Sequence, residues 1–224
     1  MKILGIDTST KFLCIGLYDG KNIYGYNLEA GRELSRLITL TLGRILDALN
    51  WKVRDIDYFA CGLGPGSFTG ICIGLATIKA MSWVAKKPVI GISTLDTIAA
   101  NVKISDAQII PIIDAKRNLI YCSVYKNSAG RLKRIKPYML LGEEDFLRQF
   151  KGKAILLGDA VGLYKGRILS STKGAVLLDK DYWYPKAHNI IALALEKVKS
   201  GKLNTAFNIK PVYLYPKECQ VRQR

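Results

Sequence analysis

An acid and three hydroxyls, Asp7-Thr8-Ser9-Thr10, follow directly on the short apolar run at residues 3–6. A glycine-rich stretch, Gly62-Leu63-Gly64-Pro65-Gly66-Ser67-Phe68-Thr69-Gly70, follows directly on a second apolar run at 58–61. A carboxylate and hydroxyls at the end of a buried strand suit magnesium and the phosphates of a nucleotide, and glycines that allow positive φ and close backbone approach suit the same phosphates. Each motif also has a plainer reading, as an Asx or Ser/Thr turn in the first case and a packing turn before a helix in the second. The glycine stretch fits no enzyme template. No Gly-Lys-Ser/Thr follows it, Ser67 stands where a dinucleotide fingerprint needs its third glycine, and Pro65 stands where a nucleophile elbow needs one. His188 is the only histidine, and Cys14, Cys61, Cys72, Cys122 and Cys219 form no CxxC pair. This argues against a zinc site or a His-based triad and for reduced core cysteines.

The elements that must hold these motifs follow from composition and periodicity. At 224 residues, 49% hydrophobic and 23% charged, the chain fits one or two compact, soluble domains. No unbroken apolar run reaches the roughly 18 residues of a membrane span, and the N-terminus meets Asp7 too early for a secretion signal, so a cytoplasmic location is expected. The net charge of +16 would steer a nucleic acid or another polyanion to the surface, or it is a solvated lysine-rich face.

Residues 3–6, 11–18 and 22–28 read as a strand meander with a hairpin at Asp19-Gly20. Residues 33–50 read as a helix whose apolar positions Leu34, Leu37, Ile38, Leu42, Ile45, Leu46 and Leu49 cover more than the stripe one sheet requires. A helix at 67–85 carries Gly70 and Gly74 one turn apart, with Thr77 and Met81 on the same face. Glycine inside a helix costs about 1 kcal/mol relative to alanine, so the pair calls for a close neighbour. Residues 88–92 read as a strand and 95–101 as a short helix. A second meander is read at 108–113, 119–125 and 131–138, its first turn Asp114-Ala115-Lys116-Arg117-Asn118 again opening with an acid. Strands at 154–157 and 175–178 and a helix at 186–199 complete the series. The fold class predicted is α/β, with duplicated ribonuclease-H-like βββαβα halves, the plan of the actin, Hsp70 and sugar-kinase superfold, and a degenerate second half. The domains are read as 1–103 and 104–224, the last segment being a candidate to pack back on the first lobe.

The segments Ile3-Leu4-Gly5-Ile6-Asp7-Thr8-Ser9, Gly62-Leu63-Gly64-Pro65-Gly66-Ser67-Phe68-Thr69-Gly70, Pro88-Val89-Ile90-Gly91-Ile92-Ser93-Thr94-Leu95, Asp114-Ala115-Lys116-Arg117 and Pro211-Val212-Tyr213-Leu214 resemble the TsaB family, also called YeaZ. The resemblance implies a non-catalytic subunit in the transfer of threonylcarbamoyl to N6 of adenosine 37 in tRNAs reading codons that begin with A. It implies a heterodimer with the catalytic subunit TsaD, the ATPase TsaE in the larger assembly, and a homodimer when TsaD is absent. It also implies tRNA contact through the complex, no membrane and no intrinsic cofactor, with ATP or ADP entering only within the complex.

The residues agree with a non-catalytic role. The two-histidine metal pair of the catalytic relatives cannot be built from His188 alone, and the second-half turn lacks glycine to wrap a phosphate. The implied four-helix interface would use the two long helices, with Leu37, Thr41, Arg44, Ile45, Thr69, Gly70, Ile71, Cys72, Gly74, Thr77 and Met81 as candidates. Burial of the same residues against the chain's own sheet is the other reading. Asp7, Thr8 and Ser9 are candidates for a residual nucleotide contact, and Lys133, Arg134, Arg222 and Arg224 for tRNA contact. Many members carry a histidine where this chain reads Glu33-Leu34-Ser35 and an arginine where it has Cys72. The alternative is a self-sufficient ATP-dependent kinase or acyltransferase of the same superfold.

Overall fold

The computed structural model describes residues 1–128, 131–150 and 152–215. Contacts divide them into two compact units, Met1–Thr97 with Pro185–Pro211, and Ile98–Tyr184 with 212–215. The division expected at 103/104 therefore falls after Thr97, and Pro185–Pro211 counts with the first unit.

In the first unit β1 (Ile3–Asp7), β2 (Phe12–Tyr18) and β3 (Ile23–Glu29) form an antiparallel meander. The β2–β3 hairpin closes where the Asp19 carboxylate accepts the N–H groups of Lys21 and Asn22, with Gly20 at φ +103°. After α1 (Leu34–Ala48), β4 (Tyr58–Gly62) adds parallel to β1; after α2 (Phe68–Ala85), β5 (Val89–Ile92) adds parallel to β4 and leads into α3 (Thr94–Ala99). The sheet order is β3-β2-β1-β4-β5. Its inner strands are covered on both faces, so they read as continuous apolar runs and not as alternations. Leu34, Ile38, Leu42 and Leu46 of α1 join Leu75 and Ile78 of α2 over Leu4, Ile6, Leu13, Ile15 and Phe59. Leu37, Ile45 and Leu49 pack against the edge of this same core, which accounts for much of the width of the α1 stripe.

The second unit runs β6 (Gln108–Asp114), β7 (Leu119–Cys122), β8 (Tyr125–Ser128), β9 (Arg131–Arg134), β10 (Met139–Gly142), α4 (Glu143–Gln149), β11 (Ala154–Leu157), α5 (Ala160–Ser171) and β12 (Ala175–Leu177). Its main path, β10-β7-β6-β11-β12, repeats the mixed antiparallel and parallel plan of the first sheet. The third meander strand is β10 and not residues 131–138. Among the described residues the cationic strand β9 pairs only with β8, whereas the apolar Met139–Gly142 takes the place beside β7. Helices α4 and α5 were not expected. The former is short, opened by Glu143, Glu144 and Asp145 at its positive end; the latter has its apolar pattern broken by Gly162 and Gly166.

The last helix, α6 (Ala187–Lys199), covers the free face of the first sheet through Ala187, Ile190, Ile191 and Ala194. It lies so close that a Cβ on Gly5 would stand 2.6 Å from Ile190 Cγ2, and one on Gly16 2.7 Å from the Ala187 carbonyl oxygen.

Candidate protein-docking site

The two motifs that sequence reading set apart meet in a buried polar knot. The Asp7 carboxylate, 1% exposed, accepts the Ser9 N–H at 2.8 Å, the Ser9 hydroxyl at 2.5 Å and the Thr94 hydroxyl at 3.0 Å. Thr8 donates its hydroxyl to the Gly70 carbonyl at 2.7 Å. The glycine turn closes over them, with Ser67 N–H donating to Ser9 O, Thr94 N–H to Gly64 O, and Gly64 and Gly66 at φ +84° and +155°. The Gly64–Pro65 bond is cis. Burial raises the Asp7 carboxyl above its ordinary range, against the lowering effect of the Ser9 and Thr94 donors. Asp7, Thr8 and Ser9 thus direct these polar atoms to one another, to Thr94 of α3 and to α2, and the glycine turn packs against the Ser9 backbone.

Gly70 and Gly74 find their close neighbour here. A Cβ at Gly70 would overlap the Thr8 carbonyl oxygen, and one at Gly74 would overlap Thr8 Oγ1. Their spacing therefore fits the turn that follows β1 within the chain's own unit. In the second unit the corresponding turn bends without glycine: Lys116, Arg117 and Asn118 take φ of 63°, 53° and 57°. Lys116 returns its N–H and its ammonium to Asp114, and Asp159 accepts the Asp114 N–H at 3.0 Å while burial raises its carboxyl.

The opposite side of α2 is exposed. Phe68 is 64% exposed, Trp83 65% and Val84 74%, and Thr69, Cys72, Ala76 and Ala80 between them are exposed as well. Lys79 is the only charged residue in the helix. The helix is long and apolar enough, by length and composition, to cross a membrane, though the single interruptions in it hide this from a search for unbroken runs. On the neighbouring α1, Leu40 is 55% exposed, Arg44 is exposed, and nothing lies within 4 Å of a Cβ built on Gly43. Of the interface candidates, Thr69, Cys72 and Arg44 reach this outer face, and Leu37, Ile45, Thr77 and Met81 lie half-buried at its margin. Thr41, Gly70, Ile71 and Gly74 are buried in the unit. Phe68, Trp83 and Val84, exposed on the same face, are not among those candidates. The signal that could have found them is a helix with apolar residues on every side, which one sheet cannot cover.

Cys14, Cys61 and Cys122 are buried thiols, burial raising that of Cys122 to about 12; Cys72 is an exposed thiol. Lys133 and Arg134 are exposed on β9. Arg222, Arg224 and Cys219 lie outside the described residues.

Residues 28–156 match the model of the family TsaD, tRNA N6-adenosine threonylcarbamoyltransferase. The tRNA threonylcarbamoyladenosine biosynthesis protein TsaB of Bacillus subtilis is 30% identical over 79% of this chain and 80% of its own length. The protein of the same name from Buchnera aphidicola subsp. Schizaphis graminum is 30% identical over 92% and 98%, and that of Escherichia coli 27% over 96% and 94%. The solved structure of YeaZ from Pseudomonas aeruginosa superposes with a TM-score of 0.83 at 24% identity, covering 95% of this chain and 99% of that one, which shows the shared fold. With two units of like βββαβα order and relatives matched over most of their length, the chain belongs to the TsaB family, also called YeaZ.

Proposed function

We propose that this chain is a non-catalytic subunit in the biosynthesis of threonylcarbamoyladenosine in tRNA, and that it works by docking TsaD on the outer face of α2 and the adjoining part of α1. The exposed apolar face of α2 carries the reading. Fully burying a large apolar side chain stabilises an assembly by about 1.5–3 kcal/mol, so Phe68 and Trp83 are the natural anchors at its two ends. Between them Cys72, Ala76 and Ala80 recur every four residues, and helices approach closest where the side chains in such a row are small. The TsaD family model spans both helices, which supports a pseudo-symmetric pairing of like elements and lets a second copy of this chain take TsaD's place when TsaD is absent. TsaE and tRNA join through the assembly, and ATP or ADP and the transfer chemistry belong to TsaD and TsaE, in the cytoplasm. The closed Asp7 knot supports that division of labour.

The test is the double variant Ala76→Arg with Trp83→Glu, mixed with purified TsaD. Both positions are exposed, so the melting temperature is expected to hold while co-elution on a sizing column is lost. Normal co-elution would overturn the docking face. Flotation of the wild-type chain with neutral lipid vesicles, with no affinity for TsaD, would favour a membrane instead. ATP turnover by the chain alone would favour the self-sufficient enzyme.

A further inference from the structure

Between Asp114 and Glu143 the chain has seven basic side chains, Lys116, Arg117, Lys126, Arg131, Lys133, Arg134 and Lys136, and no acid. Most of them fall on one addition to the second unit. The first unit passes from β2 to β3 through the Asp19-Gly20 turn, whereas the second inserts the β8–β9 hairpin between β7 and β10. In this hairpin Lys126 stands directly opposite Lys133, and Ser128 opposite Arg131. Opposite residues of an antiparallel pair share a face, and residues two apart share it too, so Lys126, Ser128, Arg131 and Lys133 make one polar face. All four are exposed, and among the described residues no ion pair reaches Lys126, Arg131 or Lys133. Like charges directly opposite each other destabilise a strand pair. On the other face Arg134 lies over the Tyr138 ring at 4.0 Å.

We infer that the Lys126–Arg131–Lys133 face of the β8–β9 hairpin binds the phosphate backbone of RNA. The inference rests on the proposed function for the identity of that RNA as tRNA. A row of cations with no acid among them and no apolar centre suits a phosphate chain, which is held by charge and needs no buried core. An acidic protein surface would be expected to bring an apolar centre with it, and this face has none. Contacts of this kind set register and affinity but read no base, so the hairpin would hold tRNAs regardless of their sequence.

The experiment compares Lys126→Ala/Arg131→Ala/Lys133→Ala with Lys165→Ala/Lys173→Ala/Lys180→Ala, which removes the same charge from exposed positions elsewhere. Binding of a fluorescent tRNA transcript is measured between about 50 and 200 mM salt, for the full chain alone and assembled with TsaD. Losing three phosphate contacts should lower the slope of log affinity against log salt by about 2 to 3 and weaken binding roughly tenfold or more at the lower salt. The hairpin variant is expected to show both changes and the control variant neither. Its melting temperature should hold or rise, because the Lys126–Lys133 repulsion is gone. Equal losses in both variants would reduce the effect to net charge and overturn the inference. Unchanged RNA binding would overturn it too, leaving the cations as guards of an open sheet edge. Intact RNA binding with weakened affinity for TsaE would assign the face to a protein. A hairpin variant that binds RNA normally and still co-elutes with TsaD sinks this inference alone, whereas a wild-type chain that never co-elutes with TsaD sinks the proposed function.

Discussion

Gly74 and Gly43 sit in neighbouring helices and answer to different neighbours. A Cβ at position 74 would overlap Thr8 Oγ1, at the centre of the buried knot, while one at 43 meets nothing. Gly74→Leu is therefore expected to destabilise the isolated chain by about 1–3 kcal/mol or more through overpacking. Gly43→Ala is expected to stabilise it by about 0.5–1 kcal/mol, the gain in helix propensity. Urea unfolding of both variants checks this, and a Gly74→Leu protein as stable as the wild type would mean that the helix does not rest on Thr8. Asp7 makes a second prediction at this scale. Its carboxyl titrates near 3.8 in the unfolded chain and higher in the folded one, where burial outweighs its donors. The folded chain thus binds more protons through that window, and stability falls as pH rises through it, having been greatest below the unfolded value. Relative to Asp7→Asn, which cannot ionise, the wild type should lose melting temperature as pH rises from about 3 and level off above the folded value. A gap between the two that stays constant across this range would count against a buried ionising Asp7.

At the scale of elements, α2 has two faces with separate duties. Its inner face, Gly70, Ile71, Gly74, Leu75 and Ile78, is buried in the chain's own unit, and its outer face, from Phe68 to Trp83, is exposed and is the face we propose for a partner. Cys72 sits on the outer face one turn in from Phe68 and is an exposed thiol, while Cys14, Cys61 and Cys122 are buried with their thiols held protonated. A thiol reagent should thus modify Cys72 rapidly in the native chain, and saturating TsaD should slow that reaction at least tenfold; unchanged reactivity in the complex would put the interface elsewhere. Much of this was legible in the sequence. The first two strands of the first meander follow from unbroken apolar runs and the third from the Asp-Gly turn before it, and the glycine pair announces close packing. What periodicity cannot say is which neighbour the glycines meet, since a stripe of small residues looks the same whether Thr8 or a foreign helix lies against it. The second half was misread for a similar reason. Residues 131–138 mix cationic and apolar positions as a half-exposed strand does, but only Arg131–Arg134 form one, and its pairing with β8 instead of β7 depends on which strand best fills the sheet. The short α4 and the glycine-interrupted α5 carry too weak a helical period to stand out.

At the scale of the whole molecule, the order of the chain and the order of its compact units differ. The first sheet is made from residues before 97, yet one of its faces is covered by a helix that the chain reaches only at Ala187. Without α6 the side chains of Ile3, Cys14, Ala60, Ile90 and Ile92, all at most 1% exposed, would stand bare, and so would the Gly5 and Gly16 backbone that lies against Ile190 and Ala187. At about 25 cal/mol per Å² of apolar surface, exposing such a face removes an amount comparable with the 5–15 kcal/mol by which a domain is usually stable. A fragment of residues 1–103, the first domain that the sequence suggests, is therefore expected not to fold by itself. Near-ultraviolet circular dichroism and urea titration should show no cooperative transition, and a peptide of residues 185–211 added in trans should restore one. A cooperative transition in the fragment alone would mean that α1, α2 and the sheet suffice, and that α6 is an accessory to the unit and not one of its walls. The same result would decide how the docking face is held. If the peptide is needed, the rigidity of α2 depends on a helix on the far side of the sheet, and substitutions at Ile190 should weaken TsaD binding in proportion to the fraction of chain they unfold.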